Sequence, residues 1–548
     1  MIENLKQRVL SLCPSAKSLN ESDDAKPVSL EVPNNEWHDF ALALRNQKDL
    51  QFDYLQDIIG VDEEIRLGVI FRLFATEHEQ TPLVVHVWAD GRERPELFSV
   101  SDVWPSANLY EREVYDYFGI RFVNHPDLRR LFLRPDWDGY PLRKDYDISS
   151  NPLKLKNEPV ADFERSERLE LDSNGRIKES SFQLFEDKDY VVSFGPQHPS
   201  THGVLQLRVS LNGETVKRID PNFGYIHRGI EKMCEEYTYP QILHLTERLD
   251  YLSAAINRHG MCLLCEKALE LEVPERAVYV RTIFDELTRI ASHLLGWASM
   301  CNDMGAITAF IYGMRDREKI MDIFEETAGG RLFTSYSVIG GLAQDIHPNF
   351  QKRVKEFLPY MRKMLREYHT LFTNNPIARQ RMTSAGHLDK ETAVAYGVTG
   401  PSGRASGWHN DVRKIEPYAA YSKVNFNEVT DTVGGSFERY YVRLDEILES
   451  LAIIEQLVDN IPDGDYKAKT KAIIKLPEGE YFGRVENARG DFGIYVNSHG
   501  DKSPYRVKFR SPSMALVSAL EPIVKGEKIA DLIMIGGSLD YVIPCIDR

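Results

Sequence analysis

Between Ser149 and Lys188 the chain loses its large apolar residues and fills with charge, opening on Ser149-Ser150-Asn151-Pro152. Such a stretch adds little to a packed core and reads as a linker. The 548 residues must therefore build separate cores on its two sides. The linker leaves room for a helix around Val160 to Leu169. The expected organisation is a small domain over 1–148, a charged linker over 149–188 and a larger domain over 189–548.

The two flanks differ in period. Before the linker, Trp37, Phe40, Leu42 and Leu44 mark a helix over Asn35 to Arg45, while Arg66 to Ala75 and Leu83 to Trp88 are β-branched and aromatic runs of strand length. Pro105 to Phe118 is a candidate helix with proline in its first turn and Gly119 just past its end. Glu111, Glu113 and Asp116 then read as a solvated or partner-facing surface of that helix. After the linker come the strand Tyr190 to Phe194 and a hairpin of Val204 to Leu211 with Val216 to Ile219, turned on Asn212-Gly213. Helices are predicted over 224–237, 240–271, 274–300, 315–327 and 349–372, packing through apolar residues at spacings of three and four such as Leu287, Ile290, Ala291, Leu294 and Leu295. A β-rich stretch, Tyr481 to Phe509, follows. The fold class is α+β: a small mixed N-terminal domain linked to a larger, mainly helical one with flanking β-hairpins or sheet.

Lys and Arg number 67 against 83 Asp and Glu, a formal charge of −16. That balance argues against sequence-independent nucleic-acid binding, which needs a basic face. No run approaches the roughly 18 consecutive apolar residues of a spanning helix, and Met1 to Ser11 lacks a secretory apolar core; a soluble chain, not exported by that route, is expected. Six scattered cysteines favour a reducing compartment. Cys262-x-x-Cys265 has ligand spacing but lies in an apolar helical run, so both read as core residues and no metal site is assigned. Phosphate-loop, dinucleotide and H-E-x-x-H signatures are absent.

What remains are polar clusters in apolar surroundings. Gly195-Pro196-Gln197-His198-Pro199-Ser200-Thr201-His202-Gly203 sets two imidazoles in a loop shaped by proline and glycine; they either pass protons to a substrate or are satisfied by backbone. Within Arg248-Leu249-Asp250-Tyr251-Leu252 the phenol either hydrogen-bonds a ligand carbonyl or is core beside an internal Arg–Asp pair. Asp303, after the long helix, either orients a histidine or caps the helix end.

These clusters, with Gly224-Tyr225-Ile226-His227-Arg228-Gly229, Arg404-Ala405-Ser406-Gly407, Asp411-Val412-Arg413, Tyr505-Arg506-Val507-Lys508 and Asp547-Arg548, resemble the D subunit of respiratory complex I, the proton-pumping NADH:quinone oxidoreductase. Glu111-Arg112-Glu113, Asp116-Tyr117-Phe118-Gly119-Ile120, His125-Pro126 and Asp136 to Tyr146 resemble its C subunit. Together they cover most of the chain outside the N-terminal tail and the linker, so the chain resembles a fused C/D subunit.

The resemblance implies a hydrogenase-large-subunit-like D domain and a quinone-reduction site shared with the neighbouring B subunit, which carries the terminal [4Fe-4S] cluster. His202 and Tyr251 would hydrogen-bond the quinone, and Asp303 would pair with His202. Arg228, with His227 and Arg248, would lie near the partner-held cluster or the quinone pocket. No cofactor would be bound by this chain alone. Partners would be the B and I subunits, an E/F/G-like input module and the H/A membrane-arm subunits, at the cytoplasmic face of a bacterial inner membrane. The electron donor stays open between NADH, reduced ferredoxin and a deazaflavin, and the quinone between ubiquinone and menaquinone. One residue departs from the family pattern: Phe333 stands where many members have a cluster-proximal histidine, which predicts a weak pH dependence of the cluster potential.

Two alternatives differ in kind. A membrane-bound nickel-iron hydrogenase would need four thiolates, but the aligned positions are Asp250, Ser253, Val542 and Cys545, one ligand of four. A scaffold role would hold redox partners without touching substrate, which suits the C-like part; His202, Tyr251 and Asp303 together argue against it for the D-like part.

Overall fold

The computed structural model describes residues 2–19, 27–77, 81–147, 149, 165–172, 176–186, 188–197 and 203–548. The chain divides into two compact units. One is Met1–Val191 with Asn222–His227 and Val394–Gly397; the other is Val192–Pro221 with Arg228–Ala393 and Val398–Arg548.

The first unit comprises α1 (Ile2–Leu12), β1 (Lys17–Ser18), β2 (Val28–Glu31), α2 (Asn34–Asn46), β3 (Tyr54–Asp62), β4 (Leu67–Phe74), β5 (Leu83–Trp88), β6 (Glu96–Phe98), α3 (Ala107–Phe118), β7 (Arg121–Val123), β8 (Arg165–Leu171) and β9 (Ile177–Gln183). Its five-stranded sheet runs β1-β2-β5-β4-β3, antiparallel except where β2 meets β5. Trp37 of α2 packs on Phe71 of β4, ring centroids 4.3 Å apart, so the predicted amphipathic helix does cover the sheet. Gly119 ends α3 at φ 71° with its N–H on the Tyr115 carbonyl, as a glycine after a helix allows.

Two expectations for this unit are corrected. Glu111, Glu113 and Asp116 are buried, not solvated. Asp116 Oδ2 accepts the backbone N–H groups of Leu131, Phe132 and Leu133 at 3.1, 2.8 and 2.9 Å, and Arg130 donates to Oδ1 at 3.0 Å. Glu111 accepts from Ser99 Oγ at 2.6 Å and Val100 N at 2.8 Å, while burial pushes its carboxyl up to about 8. These acids organise loops from inside, a use that charge spacing cannot distinguish from solvation. The second correction concerns the linker. Residues 165–169, inside the span left open for a helix, begin the antiparallel β8–β9 hairpin; the rest of that span lies outside the described residues. Asn124 N donates to Leu169 O at 2.7 Å and Leu128 N to Glu167 O at 3.1 Å, so hydrogen bonds to a distant segment decide the conformation.

The second unit opens with the sheet β10 (Tyr190–Phe194), β11 (Gln206–Asn212) and β12 (Thr215–Asn222) in that order. The hairpin turns on Gly213-Glu214, one residue later than predicted, with Gly213 at φ 63°. Helices α4 (Ile230–Glu236), α5 (Tyr239–Thr246), α6 (Ala254–Ala268), α7 (Glu275–Asp303), α8 (Ile307–Ala328) and α9 (Phe350–Tyr368) follow. The run 224–237 becomes helical only from Ile230, since Gly224 and Gly229 take φ 92° and 64°. The long helix expected over 240–271 breaks between Thr246 and Ala254. Asp250 causes part of that break, because its Oδ1 takes the Leu252 N–H at 3.0 Å and competes with the helical pattern. Cys262 and Cys265 lie in α6, buried against an antiparallel sheet of Gly479–Asn487, Gly490–Ser498 and Arg506–Arg510. Gly260 lets α6 approach that sheet: a Cβ there would meet Val485 Cγ2 at 2.9 Å.

A network of buried charges lies among α7, the helix Ser436–Val458 and the closing sheet. Glu286 accepts from Arg289 Nε at 3.2 Å, Arg413 Nη1 at 3.1 Å, and the hydroxyls of Tyr421 and Ser450 at 2.6 Å each. Arg404 bridges Glu446 and Glu486 at 2.7 Å to each. Burial opposes ionisation of Glu286, but the two guanidinia and two hydroxyls outweigh it and hold its carboxyl at about 2. Its folded value lies below the ordinary 4.5, so its stabilisation is whole above that value and is lost as pH falls toward 2. Glu286→Ala, which strands Arg289 and leaves Arg413 to Asp411 alone, is expected to cost about 3–5 kcal/mol at pH 7. The penalty should shrink at pH 3. Urea denaturation of both chains checks this, and a loss under about 1 kcal/mol at pH 7 would contradict it.

Candidate functional site

The break between α5 and α6 turns three polar side chains in different directions. Asp250 points inward to a buried ion pair with Arg489 Nη1 at 3.1 Å. Arg489 also reaches Ser292 Oγ at 2.9 Å and Asp540 Oδ1 at 3.2 Å, so one guanidinium ties the break to α7 and to the segment 540–548. Arg248 is exposed: its Nη1 donates to His244 O at 2.7 Å, and its guanidinium carbon stands 4.8 Å from the centre of the Phe333 ring. Tyr251 is half-buried beside the apolar cluster of Leu252, Val542 and Cys545. Burial, above all, raises its phenol above the ordinary value; Asp250 and Asp540 add to that, and Arg489 and Arg317 oppose it.

Tyr251 also lines a small pocket whose enclosed part has room for about one water molecule. Its apolar wall includes Ala254, Ala255, Ala291, Met321 and Phe324, and its polar groups belong to Thr288 on α7, Arg317 on α8, and Arg331 and Thr334 after α8.

The segment 540–548 completes the surroundings. Arg228 N donates to Arg548 O at 3.0 Å, and Arg228 Nη2 donates to Arg248 O at 2.9 Å and Pro544 O at 3.4 Å. Glu231 holds Arg548 at 3.1 Å and Arg506 at 2.8 Å. Asp303, half-buried, is the last residue of α7, and its charge adds to the burial that raises the Tyr541 phenol.

The structure therefore brings Arg228, Arg248 and Tyr251 around one break, with Asp303 reached through the segment that packs on Tyr251. His227 is placed in the first unit, where it stacks on Tyr117 and Phe132 at centroid distances of 5.6 and 5.9 Å. His198 and His202 lie outside the described residues. The sequence reading left out Arg489, Asp540, Thr288, Arg317 and Thr334. A charge inside the β-rich stretch at Arg489 was the available signal. Arg317 lies in the charged run Arg315-Asp316-Arg317-Glu318, which carries no signal that one of its charges turns inward.

Comparison with known proteins bears on what this site belongs to. Residues 30–152 match the family described as respiratory-chain NADH dehydrogenase, 30 Kd subunit, and residues 303–475 and 470–548 match the 49 Kd subunit family. The C/D subunit of NADH-quinone oxidoreductase from Phocaeicola vulgatus is 54% identical over 520 residues, covering 95% of this chain and 99% of that protein. The chain belongs to the family of fused C/D subunits of NADH-quinone oxidoreductase. The C/D 2 subunit of Aquifex aeolicus is 35% identical over 563 residues, covering 93% and 94% of the two chains. The D subunit of Desulforamulus reducens matches at 44% identity over 360 residues, 66% of this chain and 98% of that one. The resemblance drawn from the motifs is thus correct at the level of the fused C/D subunit, and so is the α+β fold.

The residues at the four hydrogenase-aligned positions do not fit a nickel-iron centre. Asp250 is committed to Arg489, Val542 is apolar, and Ser253 offers a hydroxyl. Cys545 is a buried thiol hydrogen-bonded by Ser511 Oγ at 3.0 Å, pushed up to about 12 by burial first and Asp250 second. Among the described residues no three His, Cys, Asp or Glu side chains converge as a metal-binding group. All six cysteines are buried, and burial also takes Cys262 up to about 12. A thiol-disulfide reagent at pH 8 is expected to label none of the six promptly in the folded chain and all six in urea, since the thiolate is the reactive form. Prompt labelling of Cys545 in the folded chain would contradict this placement.

Proposed function

We propose that the Tyr251 surface is this chain's part of a quinone-reduction site in NADH-quinone oxidoreductase, completed by the neighbouring B subunit. The observation that carries the reading is the half-buried phenol set between apolar walls and beside the Asp250–Arg489–Asp540 ion pairs. Reducing a quinone adds two electrons and two protons to a pair of carbonyl oxygens. A site for it needs a flat apolar seat and two proton donors within hydrogen-bond reach. Tyr251 is one donor, His202 the other, and Asp303 orients His202 and answers its change of charge. The cluster in the B subunit supplies the electrons. Arg228 and Arg248 face it, and their positive charge favours the reduced state electrostatically.

The remaining partners on this reading are the I subunit, an E/F/G-like input module and the H/A membrane-arm subunits. No helix among the described residues is long and apolar enough to cross a membrane; attachment at the cytoplasmic face runs through those partners.

In native-host membranes with equal assembly, Tyr251→Phe is expected to lower NADH-driven quinone reduction by on the order of 100-fold or more. Wild-type rates in the variant would overturn the site. If the wild-type complex itself gave no NADH-driven activity, NADH would fall as donor and reduced ferredoxin would be tested next. A second expectation follows from Phe333, whose ring cannot titrate. The midpoint potential of the neighbouring cluster, followed by electron paramagnetic resonance between pH 6 and 9, should stay nearly flat. Phe333→His should restore a slope toward the ~59 mV per pH unit of a one-electron, one-proton couple. A steep wild-type slope would refute the assignment.

A further inference from the structure

The pocket beside Tyr251 holds more polar groups than its apolar wall explains. Thr288 Oγ1, Thr334 Oγ1 and Arg317 Nε are buried, belong to residues that line it, and have no hydrogen-bond partner among the described residues. Thr288 and Thr334 are 5% and 6% exposed. A buried hydroxyl is costly unless satisfied, and three such groups around one space are the setting in which ordered water is held.

Their chemistry is graded. Each threonine hydroxyl both donates and accepts, so it can relay a proton to or from a single bound water; Arg317 Nε only donates. Arg317 is also the more weakly compensated of the two cations that line the pocket. Its nearest carboxylate among the described residues, Glu318, stands 3.9 Å away, whereas Arg331 is held by Glu318 at 2.5 Å, Asp322 at 3.0 Å, and Glu325. Burial pulls the Arg317 guanidinium below its ordinary value; Arg331 works in the same direction, and Glu318 and Tyr251 oppose it.

We infer that Thr288, Thr334 and Arg317 form a hydrated proton-return site for Tyr251, with Arg317 as the positioning cation for the phenolate formed at each turnover. This rests on the reading of Tyr251 as a proton donor to the quinone. The Tyr251 O–H bond breaks and its proton passes to the reduced substrate oxygen. The phenolate then takes a proton from one water held at Thr288 and Thr334, and the hydroxide left there regains one proton from solvent at the pocket mouth. No electron passes through these residues, and Arg317 stays protonated throughout. The charges facing Tyr251 are Arg489, Asp250, Asp540 and Arg317. The first three are already engaged in ion pairs with one another, which leaves Arg317 to meet the new negative charge.

The test uses the assembled complex in native-host membranes, with Arg317→Met, Arg317→Lys, Thr288→Val and Thr288→Ser beside Tyr251→Phe. Arg317→Met is expected to lower kcat by on the order of 10-fold with KM unchanged, and Arg317→Lys to recover most of it. Thr288→Val should raise the solvent deuterium isotope effect on kcat and make the rate respond to added small-molecule buffer acid, while Thr288→Ser behaves as wild type. Should Thr288→Val fail to assemble, Thr334→Val carries the same expectation. Wild-type kcat and isotope effect in both Arg317→Met and the assembled valine variant would overturn the inference, as would a rise in KM alone, which would make the pocket a substrate contact. If Tyr251→Phe itself kept full activity, the quinone-site reading would fall first. Loss in Tyr251→Phe with wild-type behaviour in the others sinks only the proton-return site.

Discussion

Glu286 is the fixed point of the second unit. A carboxylate with no exposure would be expelled from a protein interior unless positive charge and hydroxyl donors met it there. Arg289 from its own helix, Arg413 from a short helix far along the chain, and Tyr421 and Ser450 all converge on it. The same helix, α7, carries Thr288 toward the Tyr251 pocket and ends on Asp303. Rotating or sliding α7 would break the three contacts from outside it, those of Arg413, Tyr421 and Ser450, at once. The site residues therefore ride on an element whose register is set electrostatically as well as by packing.

The interruption between α5 and α6 serves the site differently. A continuous helix over 240–271 would have put Asp250 and Tyr251 at successive 100° steps with every backbone group engaged. Ending α5 at Thr246 frees the chain to send Asp250 to Arg489 and Tyr251 to the pocket. The buried pair then locks a turn that propensity alone would not favour, a local conflict of the sort that marks functional positions.

Elements with strong period or explicit punctuation were legible in the sequence: the helix ended by Gly119, the first hairpin, the long helices after residue 274 and the closing sheet. Family membership was legible too, because long polar motifs survive in apolar surroundings. What escaped depends on distant backbone. Asp116 looks solvated until Leu131, Phe132 and Leu133 present three N–H groups to it. The 165–171 segment looks like linker until residues 124–128 offer hydrogen bonds. Arg317 looks like one more surface charge until α7 and the 331–334 segment close around it. Periodicity reports which face of an element is apolar; it is silent on which polar groups a fold turns inward.

The β8–β9 hairpin constrains how such a gene could be divided. Leu169 is fully buried and its carbonyl holds Asn124, so a break soon after residue 148 would strip the first unit of pairing that it makes with itself. Two separately translated chains would keep this hairpin with the segment it pairs to only if the first ran through the end of β9 at Gln183, ahead of the strand that begins at Tyr190. That leaves a window of a few residues for a gene fission that spares both the hairpin and the strand after it.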